Sequence, residues 1–256
     1  MKINYSKSLN DISPERAERL SQKTDDKYQT QIEISRILHD TPLRESCLVC
    51  QNKLQGSEFI HRSIPFIQCN NCGHIQTKGL PPSGYPFHEK NSSFHNVYPD
   101  LDAKEYQNRI ERIYQPKLDW IQEVLTEHFT EKELRLKKWV ELGCGAGYFL
   151  SCLDSNNFKK ITGFDMDPDL VKKTDAMTPD HVKVYHGDEN LHKTVSNCSA
   201  DVYVAFFVLE HVLNPFKFYQ QLSNLPSKTI FIFSVPTFGL SCLLEGVFDY
   251  LYARNL

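Results

Sequence analysis

The amino-acid sequence predicts an α/β protein with a parallel sheet, preceded by a small cysteine-rich domain and a helical linker. Two observations support this prediction. After Lys137, short apolar strands alternate with helical segments, an order typical of parallel sheets covered on both faces. Between residues 42 and 90, four cysteines stand in two closely spaced pairs, which indicates a small domain held together by metal rather than by a large core.

Residues 1–41 are polar and are predicted to form a helical lead-in. Ser13, Pro14 and Glu15 combine a helix N-cap residue, a proline at the first helical position and an acidic first turn. The apolar residues between Ile32 and Leu38 could dock this segment on another element. A solvated, partly mobile segment is the alternative, and we assign no chemistry to it.

The four clustered cysteines define the domain at residues 42–90. Cys47 and Cys50 form one C-x2-C pair, and Cys69 and Cys72 form a second after an 18-residue spacer. Two such pairs match a structural zinc site, in which four thiolates complete a tetrahedron and leave no position for water. A redox disulfide is the alternative interpretation. The nearby His74 could compete as a ligand, but a surface residue is the favoured interpretation.

Residues 91–136 are predicted to be a helical linker, because apolar residues recur in it every three to five positions. These positions are Tyr106, Ile110, Ile113, Leu118, Ile121, Leu125 and Phe129. Pro116 has no backbone N–H to donate within a helix, so we expect a kink or a break near Gln115.

Residues 137–256 are predicted to hold the parallel sheet. The strand candidates are Lys138–Leu142, Lys160–Asp165, Val182–Tyr185, Asp201–Phe206 and Thr229–Ser234. Helical segments separate these apolar strands, which indicates a Rossmann-like sheet with helices on both faces. Only 20 residues follow Pro236, and within them Leu240–Ala253 is interpreted as one amphipathic or buried helix.

The first strand of this sheet leads into a glycine-rich loop with the pattern E-x-G-x-G-x-G, in which Glu141 precedes Gly143, Gly145 and Gly147. Glycine permits both a sharp backbone turn and the close approach of a ligand. The dinucleotide-binding pattern G-x-G-x-x-G would require a glycine at position 148, where this sequence has Tyr148. The loop therefore favours a different ligand.

This loop resembles the first motif of class I S-adenosylmethionine-dependent methyltransferases. The resemblance implies that Glu141 faces the ammonium group of the cofactor, directly or through water. A carboxylate about 20 residues further on, at the end of the next strand, suits the ribose hydroxyls. Asp165 is the first choice for this role, with Asp167 as the fallback and as a helix N-cap. Met166 could cover the adenine, and by resemblance Asp188 binds the adenine amino group. The candidate cofactor-binding residues are Glu141, Gly143, Cys144, Gly145, Gly147, Asp165, Met166, Asp188 and Phe206.

The fourth predicted strand leads into LEHV, and the order "LEHV…NP" resembles the fourth-strand motif of many small-molecule methyltransferases. Ligands lie beyond the carboxyl ends of such strands, so Phe206 to His211 should face the reacting methyl group. The His211 imidazole, with an ordinary pKa of about 6.5, could take a proton from the acceptor, with Glu210 as its helper. Alternatively, His211 caps the following helix or packs against the cofactor without proton transfer.

The order of the segments resembles a narrower family, the zinc-binding sugar methyltransferases. The residues that carry this resemblance are the second cysteine pair in CNNCGHIQ, the linker segment NRIERIYQPKLDWIQEVL and the glycine loop. It implies a small-molecule acceptor, a sugar or a nucleotide-linked sugar, and linker aromatics such as Phe94 and Tyr98 that help to close the cofactor pocket. The family fold ordinarily has seven strands. Five are visible here, so the sixth and seventh are expected to be missing, as in a truncated or reduced variant.

Composition excludes several functional classes. The chain has 29 basic and 32 acidic residues and a net charge of −3, so it lacks a chain-wide field that would attract nucleic acid or anionic membranes. Its apolar runs are far shorter than the roughly 20 residues of a membrane span, and its N-terminus has no signal-peptide core. Eight cysteines, four of them clustered, suit a reducing compartment. We expect a cytoplasmic protein with no membrane or nucleic-acid partner, and we predict no oligomeric state.

Two alternative functions stay open. The first is methylation of RNA, because zinc knuckles also precede this fold in ribosomal RNA enzymes. Residues 42–90 hold five basic and three acidic residues, less positive charge than an RNA-binding face usually carries. The second alternative is a truncated protein that binds the cofactor and catalyses nothing.

Overall fold

The computed structural model describes residues 24–61, 63–80, 103–188 and 191–235. The described residues up to Leu80 belong to one compact unit, and those from Ala103 to Val235 belong to a second. Three features discussed above lie outside the described residues: the helix start at Ser13, the linker aromatics Phe94 and Tyr98, and the segment Leu240–Ala253. None of the described helices combines the length and the apolar composition needed to cross a bilayer.

The first unit consists of one helix and a small antiparallel sheet. Its elements are α1 (Thr24–His39), β1 (Gly56–His61), β2 (Ile64–Cys69) and β3 (Ile75–Thr77), with the strands in the order β1-β2-β3. Among its described residues, only four apolar side chains are buried, namely Leu38, Cys47, Ile67 and Cys69. Because two of the four are cysteines of the cluster, packing alone provides little of a core.

The second unit begins with the predicted linker, which is helical and is interrupted as expected. Its elements are α2 (Ala103–Arg109), a π-helical turn (Ile110–Tyr114), α3 (Gln115–Leu125) and α4 (Glu131–Leu136). The N–H of Gln115 donates to the carbonyl of Ile110, five residues earlier. Pro116 has no N–H and its ring crowds the preceding turn, and a widened turn accommodates it. The prediction of a break near Gln115 is confirmed.

The rest of the second unit is a five-stranded parallel sheet with the order β6-β5-β4-β7-β8. Its strands are β4 (Lys138–Leu142), β5 (Lys160–Asp165), β6 (Val182–His186), β7 (Val202–Phe206) and β8 (Ile230–Ser234). The intervening helices are α5 (Tyr148–Ser155), α6 (Pro168–Met177), α7 (His192–Asn197) and α8 (Pro215–Ser223), and a 3-10 turn spans Leu209–His211. The predicted Rossmann-like sheet is confirmed, with each predicted strand end within one residue of the observed one.

The register of the central strands determines which side chains share a face of the sheet. Glu141 on β4 pairs with Gly163 on β5 and with Val204 on β7. Side chains alternate along a strand, so Asp165 and Phe206, each two residues further along, lie on the same face as Glu141 and nearer the carboxyl edge. This edge is therefore lined by two carboxylates and an aromatic ring.

Candidate functional site

The glycine loop lies at the carboxyl end of β4. Gly143, Gly145 and Gly147 all have positive φ angles, of 69°, 52° and 72°, which side chains with a Cβ rarely adopt. A Cβ on Gly143 would lie 2.4 Å from a methyl group of Val208, and one on Gly147 would lie 2.4 Å from the methyl group of Thr174. The loop thus needs glycine for its own conformation and packing as well as for the ligand approach inferred from the sequence.

Asp165 is tied directly to this loop. Its Oδ2 accepts a hydrogen bond of 2.8 Å from the N–H of Gly145, and its Oδ1 accepts one of 2.9 Å from the N–H of Asp167. Burial raises the pKa of Asp165, and these backbone donors oppose the rise. Asp167 in turn caps α6, with Oδ1 accepting from the N–H groups of Asp169 and Leu170, so its predicted N-cap role is confirmed. Half-buried Met166 lies between the two aspartates.

Two side chains that sequence reasoning did not select hold the carbonyl groups of the loop. The hydroxyl of Thr174 on α6 donates to the carbonyl of Gly145 at 2.8 Å, and that of Tyr106 on α2 donates to the carbonyl of Ala146 at 3.0 Å. Burial raises the pKa of Tyr106 to about 12, so its hydroxyl stays protonated as a donor. Tyr106 appeared in the sequence only as an apolar helical position, and Thr174 carried no signal.

Glu141 is buried at the carboxyl end of β4, with 4% of its surface exposed. Its Oε2 has no hydrogen-bond partner among the described residues. Burial raises the pKa of Glu141 well above its ordinary value, and the positive charge of Lys117 opposes this rise. A buried carboxylate oxygen without a donor is costly to an isolated protein, and it fits a cationic or hydrogen-bonding ligand.

Lys117 on α3 brings a positive charge to an aromatic cluster at the end of β7. Its Nζ lies 4.5 Å from the ring centre of Phe206, 4.8 Å from that of Tyr114 and 5.3 Å from that of Phe207. Phe207 has a φ of 56°, a strained conformation of a kind that concentrates at functional sites. Sequence reasoning placed Phe206 and Phe207 at this edge and missed Tyr114 and Lys117, which join the site through packing of the linker against the sheet.

The predicted adenine-binding residue, Asp188, lies in the loop between β6 and α7. Its Oδ1 accepts from the N–H and the hydroxyl of Thr194, at 2.8 and 2.7 Å, and its Oδ2 lies 3.5 Å from Nδ1 of His192. Burial acts to raise the pKa of Asp188, but the Thr194 hydrogen bonds and the charge of His192 outweigh it and lower the pKa. Asp188 also lines a cleft of about 370 Å³ that extends to Phe164.

The predicted catalytic pair, Glu210 and His211, lies on the 3-10 turn that follows β7, and both side chains are exposed. The N–H of His211 donates to the carbonyl of Val208 at 2.9 Å. The side chain of Val208 packs directly against Gly143. The turn therefore begins directly beside the glycine loop. The following helix, α8, is capped by the side chain of Asn214.

The four cysteines of the first unit converge. All four sulfur atoms lie within 4.8 Å of one another, with 3.6 Å between Cys47 and Cys72 and 3.8 Å between Cys50 and Cys69. A disulfide requires about 2.0 Å, whereas two thiolates on a tetrahedral zinc ion lie about 3.8 Å apart. The spacing is compatible with a zinc knuckle, and within the described residues His74 is not part of the group.

The two cysteine pairs have the same local geometry. The N–H of Gln51 donates to the carbonyl of Cys47 at 3.0 Å, and the N–H of Gly73 donates to that of Cys69 at 2.8 Å. Gln51 and Gly73 both have left-handed φ angles, of 60° and 75°. A hydrogen bond from the backbone N–H of residue 52 lowers the pKa of the Cys50 thiol to about 6, whereas burial raises the pKa of Cys47 and raises that of Cys72 to about 12.

The five-stranded parallel sheet and the glycine loop together are those of a Rossmann-like methyltransferase fold. A family model described as "Methyltransferase domain" matches residues 106–249, more than half of the chain. The chain belongs to this methyltransferase family. No curated protein sequence matches it.

Solved structures give more distant likenesses. A Mesorhizobium loti S-adenosylmethionine-dependent methyltransferase is 18% identical, with 44% of this chain and 51% of that chain covered and a TM-score of 0.34. A Pyrococcus horikoshii protein is 20% identical, with 60% and 70% covered and a TM-score of 0.40. The plantazolicin methyltransferase BpumL, in complex with a pentazolic analog and SAH, is 16% identical, with 63% and 66% covered and a TM-score of 0.40. The chain spans about half the length of the Mesorhizobium loti protein.

Proposed function

We propose that the chain transfers a methyl group from S-adenosylmethionine to a small-molecule acceptor, most simply a sugar or a nucleotide-linked sugar. The observation that carries this proposal is the junction of Asp165 with the glycine loop, where the Asp165 carboxylate and the N–H of Gly145 meet at 2.8 Å. Such a carboxylate at the carboxyl edge of a parallel sheet is suited to a ribose. The buried, unpartnered oxygen of Glu141 supplies a second point of fit, for an ammonium group.

S-adenosylmethionine, when bound, supplies a methyl group activated by a sulfonium. The chain would hold it through Glu141 at the ammonium, Asp165 at the ribose hydroxyls and Asp188 at the adenine amino group. Met166 and Phe206 would contribute apolar contacts. The backbone of the glycine loop, fixed by its hydrogen bonds to surrounding side chains, would orient these groups without having to order itself on binding.

His211 would act as the general base. For a hydroxyl acceptor, the new oxygen–carbon bond forms as the sulfur–carbon bond breaks, and the hydroxyl proton passes to a ring nitrogen of His211. Glu210 would orient the imidazole or stabilise its charged form. The position of their turn, which begins directly after Val208 beside the glycine loop, supports this assignment.

The four cysteines would bind a structural zinc ion rather than a catalytic one, because four thiolates leave no open coordination position. A reducing compartment such as the cytoplasm would keep these thiols free for the metal.

Cofactor binding is tested by calorimetric titration of the zinc-replete protein with S-adenosylmethionine. We expect Asp165→Ala to weaken binding by about tenfold or more, the value of hydrogen bonds to a charged group. Asp175→Ala, at an exposed position on α6, is the matched control and should bind normally. Equal affinity of the two variants would contradict the assignment of Asp165.

The acceptor is sought with methyl-labelled cofactor and a panel of nucleotide sugars, glycans and structured RNA. On an identified acceptor, we expect His211→Gln and His211→Ala to lower turnover by about 100-fold or more, the range of general base catalysis. Near-normal turnover would remove His211 from this role. Labelling of RNA alone would replace the sugar proposal, and cofactor binding without any transfer would favour a non-catalytic cofactor-binding protein.

A further inference from the structure

The carboxyl edge of the sheet carries opposite charges close together. Glu141 lies on the same face of the sheet as Phe206, one strand away, and the Lys117 ammonium lies 4.5 Å above the Phe206 ring. The Lys117 charge is also the principal influence that opposes the rise in the pKa of Glu141. Together, Lys117 and Glu141 present a cation and an anion, one half-buried and one buried.

This arrangement complements a zwitterion. The methionine end of S-adenosylmethionine carries an ammonium and a carboxylate on the same carbon. When an acidic residue binds the ammonium, the adjacent carboxylate of the ligand still needs a positively charged hydrogen-bond donor. Packing against the rings of Tyr114, Phe206 and Phe207 limits the positions available to the Lys117 side chain, so less freedom is lost on binding.

Resting on the proposed function, we propose that Lys117 binds the carboxylate of the cofactor, so that Lys117 and Glu141 together select a ligand with an intact amino-acid end. Arg109 is the competing cation. Its guanidinium lies 4.8 Å over the ring of Tyr148, and its Nε is buried without a partner among the described residues. Lys117 lies over Phe206, which shares the sheet face of Glu141, and this geometry favours Lys117 over Arg109.

Four adenosine compounds separate the roles of the two charges. S-adenosylmethionine has both the ammonium and the carboxylate, and S-adenosylhomocysteine has both without the sulfonium charge. Decarboxylated S-adenosylmethionine keeps only the ammonium, and 5′-methylthioadenosine has neither group. Their affinities are measured by calorimetry for the wild-type chain and for Lys117→Met, Lys117→Arg, Glu141→Gln and Arg109→Gln. Lys160→Met, at an exposed position where β5 begins, is the matched control.

We expect Lys117→Met to weaken S-adenosylmethionine and S-adenosylhomocysteine binding by about 10- to 100-fold. Its affinity for decarboxylated S-adenosylmethionine and for 5′-methylthioadenosine should stay within about twofold of the wild type, since neither ligand has the carboxylate. Lys117→Arg should restore most of the loss. Glu141→Gln should weaken every ligand that carries the ammonium, and Lys160→Met none of them.

Three results would overturn the inference while leaving the proposed function in place. Equal losses for all four ligands in Lys117→Met would indicate a structural role. A gain for S-adenosylmethionine over S-adenosylhomocysteine would indicate that Lys117 competes with the sulfonium. A carboxylate-specific loss in Arg109→Gln, with none in Lys117→Met, would transfer the role to Arg109. If the wild-type chain binds none of the four ligands, the proposed function itself fails, and the inference fails with it.

Discussion

The two units of this protein are stabilised in different ways. Of the 32 buried apolar residues in the described ranges, four belong to the first unit and two of those are cysteines of the cluster. The second unit holds the remainder, and all of these but Leu170 form two packed clusters on opposite faces of a parallel sheet. In the second unit, the packing of many apolar side chains provides the stability. In the first unit, a few side chains that bind a metal would have to provide it. The two units should therefore respond to different perturbations.

The largest effect should follow removal of the metal. With a strong chelator, or in Cys69→Ser, we expect the amide hydrogens of β1 to β3 to lose their protection from exchange, because structural zinc contributes roughly 10 kcal/mol in small domains. Both tryptophans, Trp120 and Trp139, lie in the second unit, so their fluorescence should change little. Cys198→Ser, outside the cluster, is the control. Unchanged exchange after complete metal removal would refute the zinc interpretation.

Shortening a core side chain of the second unit should instead destabilise that unit. Leu150 on α5 is fully buried, and Leu150→Ala should lower the free energy of unfolding of the second unit by about 2–5 kcal/mol through cavity formation. Urea titration followed by tryptophan fluorescence measures this loss. Leu136→Ala, at a position 52% exposed, should cost less than about 0.5 kcal/mol. Similar losses in the two variants would mean that the packing described around Leu150 is wrong.

A smaller effect on thermal stability should distinguish the carboxyl edge of the sheet, at Glu141, from the rest of the core. Burial raises the pKa of Glu141 in the folded protein. The contribution of Glu141 to folding stability is therefore complete below the pKa that this residue has in the unfolded chain, and it is lost as the pH rises through the pKa of the folded protein. In cofactor-free protein at pH 7, Glu141→Gln should therefore unfold at a higher temperature, by about 2–4 °C for each 1 kcal/mol recovered.

The pH dependence gives the sharper test of this prediction. The advantage of Glu141→Gln should shrink as the pH is lowered toward 4, because the carboxyl group of the unfolded wild-type chain then becomes protonated as well. The exposed Glu127→Gln should show no such trend. An advantage that grows on acidification would contradict the burial of an unpartnered Glu141 carboxylate.

The smallest effect should come from a substitution in the turn that follows the second cysteine pair of the first unit. Gly73 has a φ of 75°, and a Cβ built on it meets no atom within 4 Å. Gly73→Ala should therefore cost only the backbone strain, about 1–2 kcal/mol, and should leave zinc stoichiometry unchanged. Thermal unfolding of the zinc-loaded protein measures the cost. Loss of zinc from this variant would show that the turn controls metal binding beyond its own strain.

The sequence was most informative where its signals are local. The strands were predicted to within one residue because the central strands of a parallel sheet are continuous apolar runs. The placement of Asp165 at the end of β5 was predicted because the distance from the glycines to the next strand end is nearly constant in such folds. The break at Pro116 follows from one missing N–H.

Residues that reach the site from a distant part of the chain could not be predicted in this way. Tyr106 is 40 residues from the carbonyl it holds, and Thr174 is 29 residues from its own. Lys117 is 89 residues from Phe206, over whose ring it lies. A single sequence contains no signal for such contacts, since they depend on how helices pack on the finished sheet.

The π-helical turn before Pro116 also determines the direction in which the following helix faces. Each residue of an α-helix turns the chain by about 100°, whereas the wide turn at Ile110–Tyr114 takes up one residue more than an α-helical turn does. The same five residues wound as an α-helix would therefore rotate all of α3 by nearly that angle. The Lys117 ammonium would then leave the aromatic cluster, and Leu118, Ile121 and Leu125 would leave the core together. The wide turn therefore sets the rotation of α3, and with it both the charge at the carboxyl edge of the sheet and the packing of three core residues.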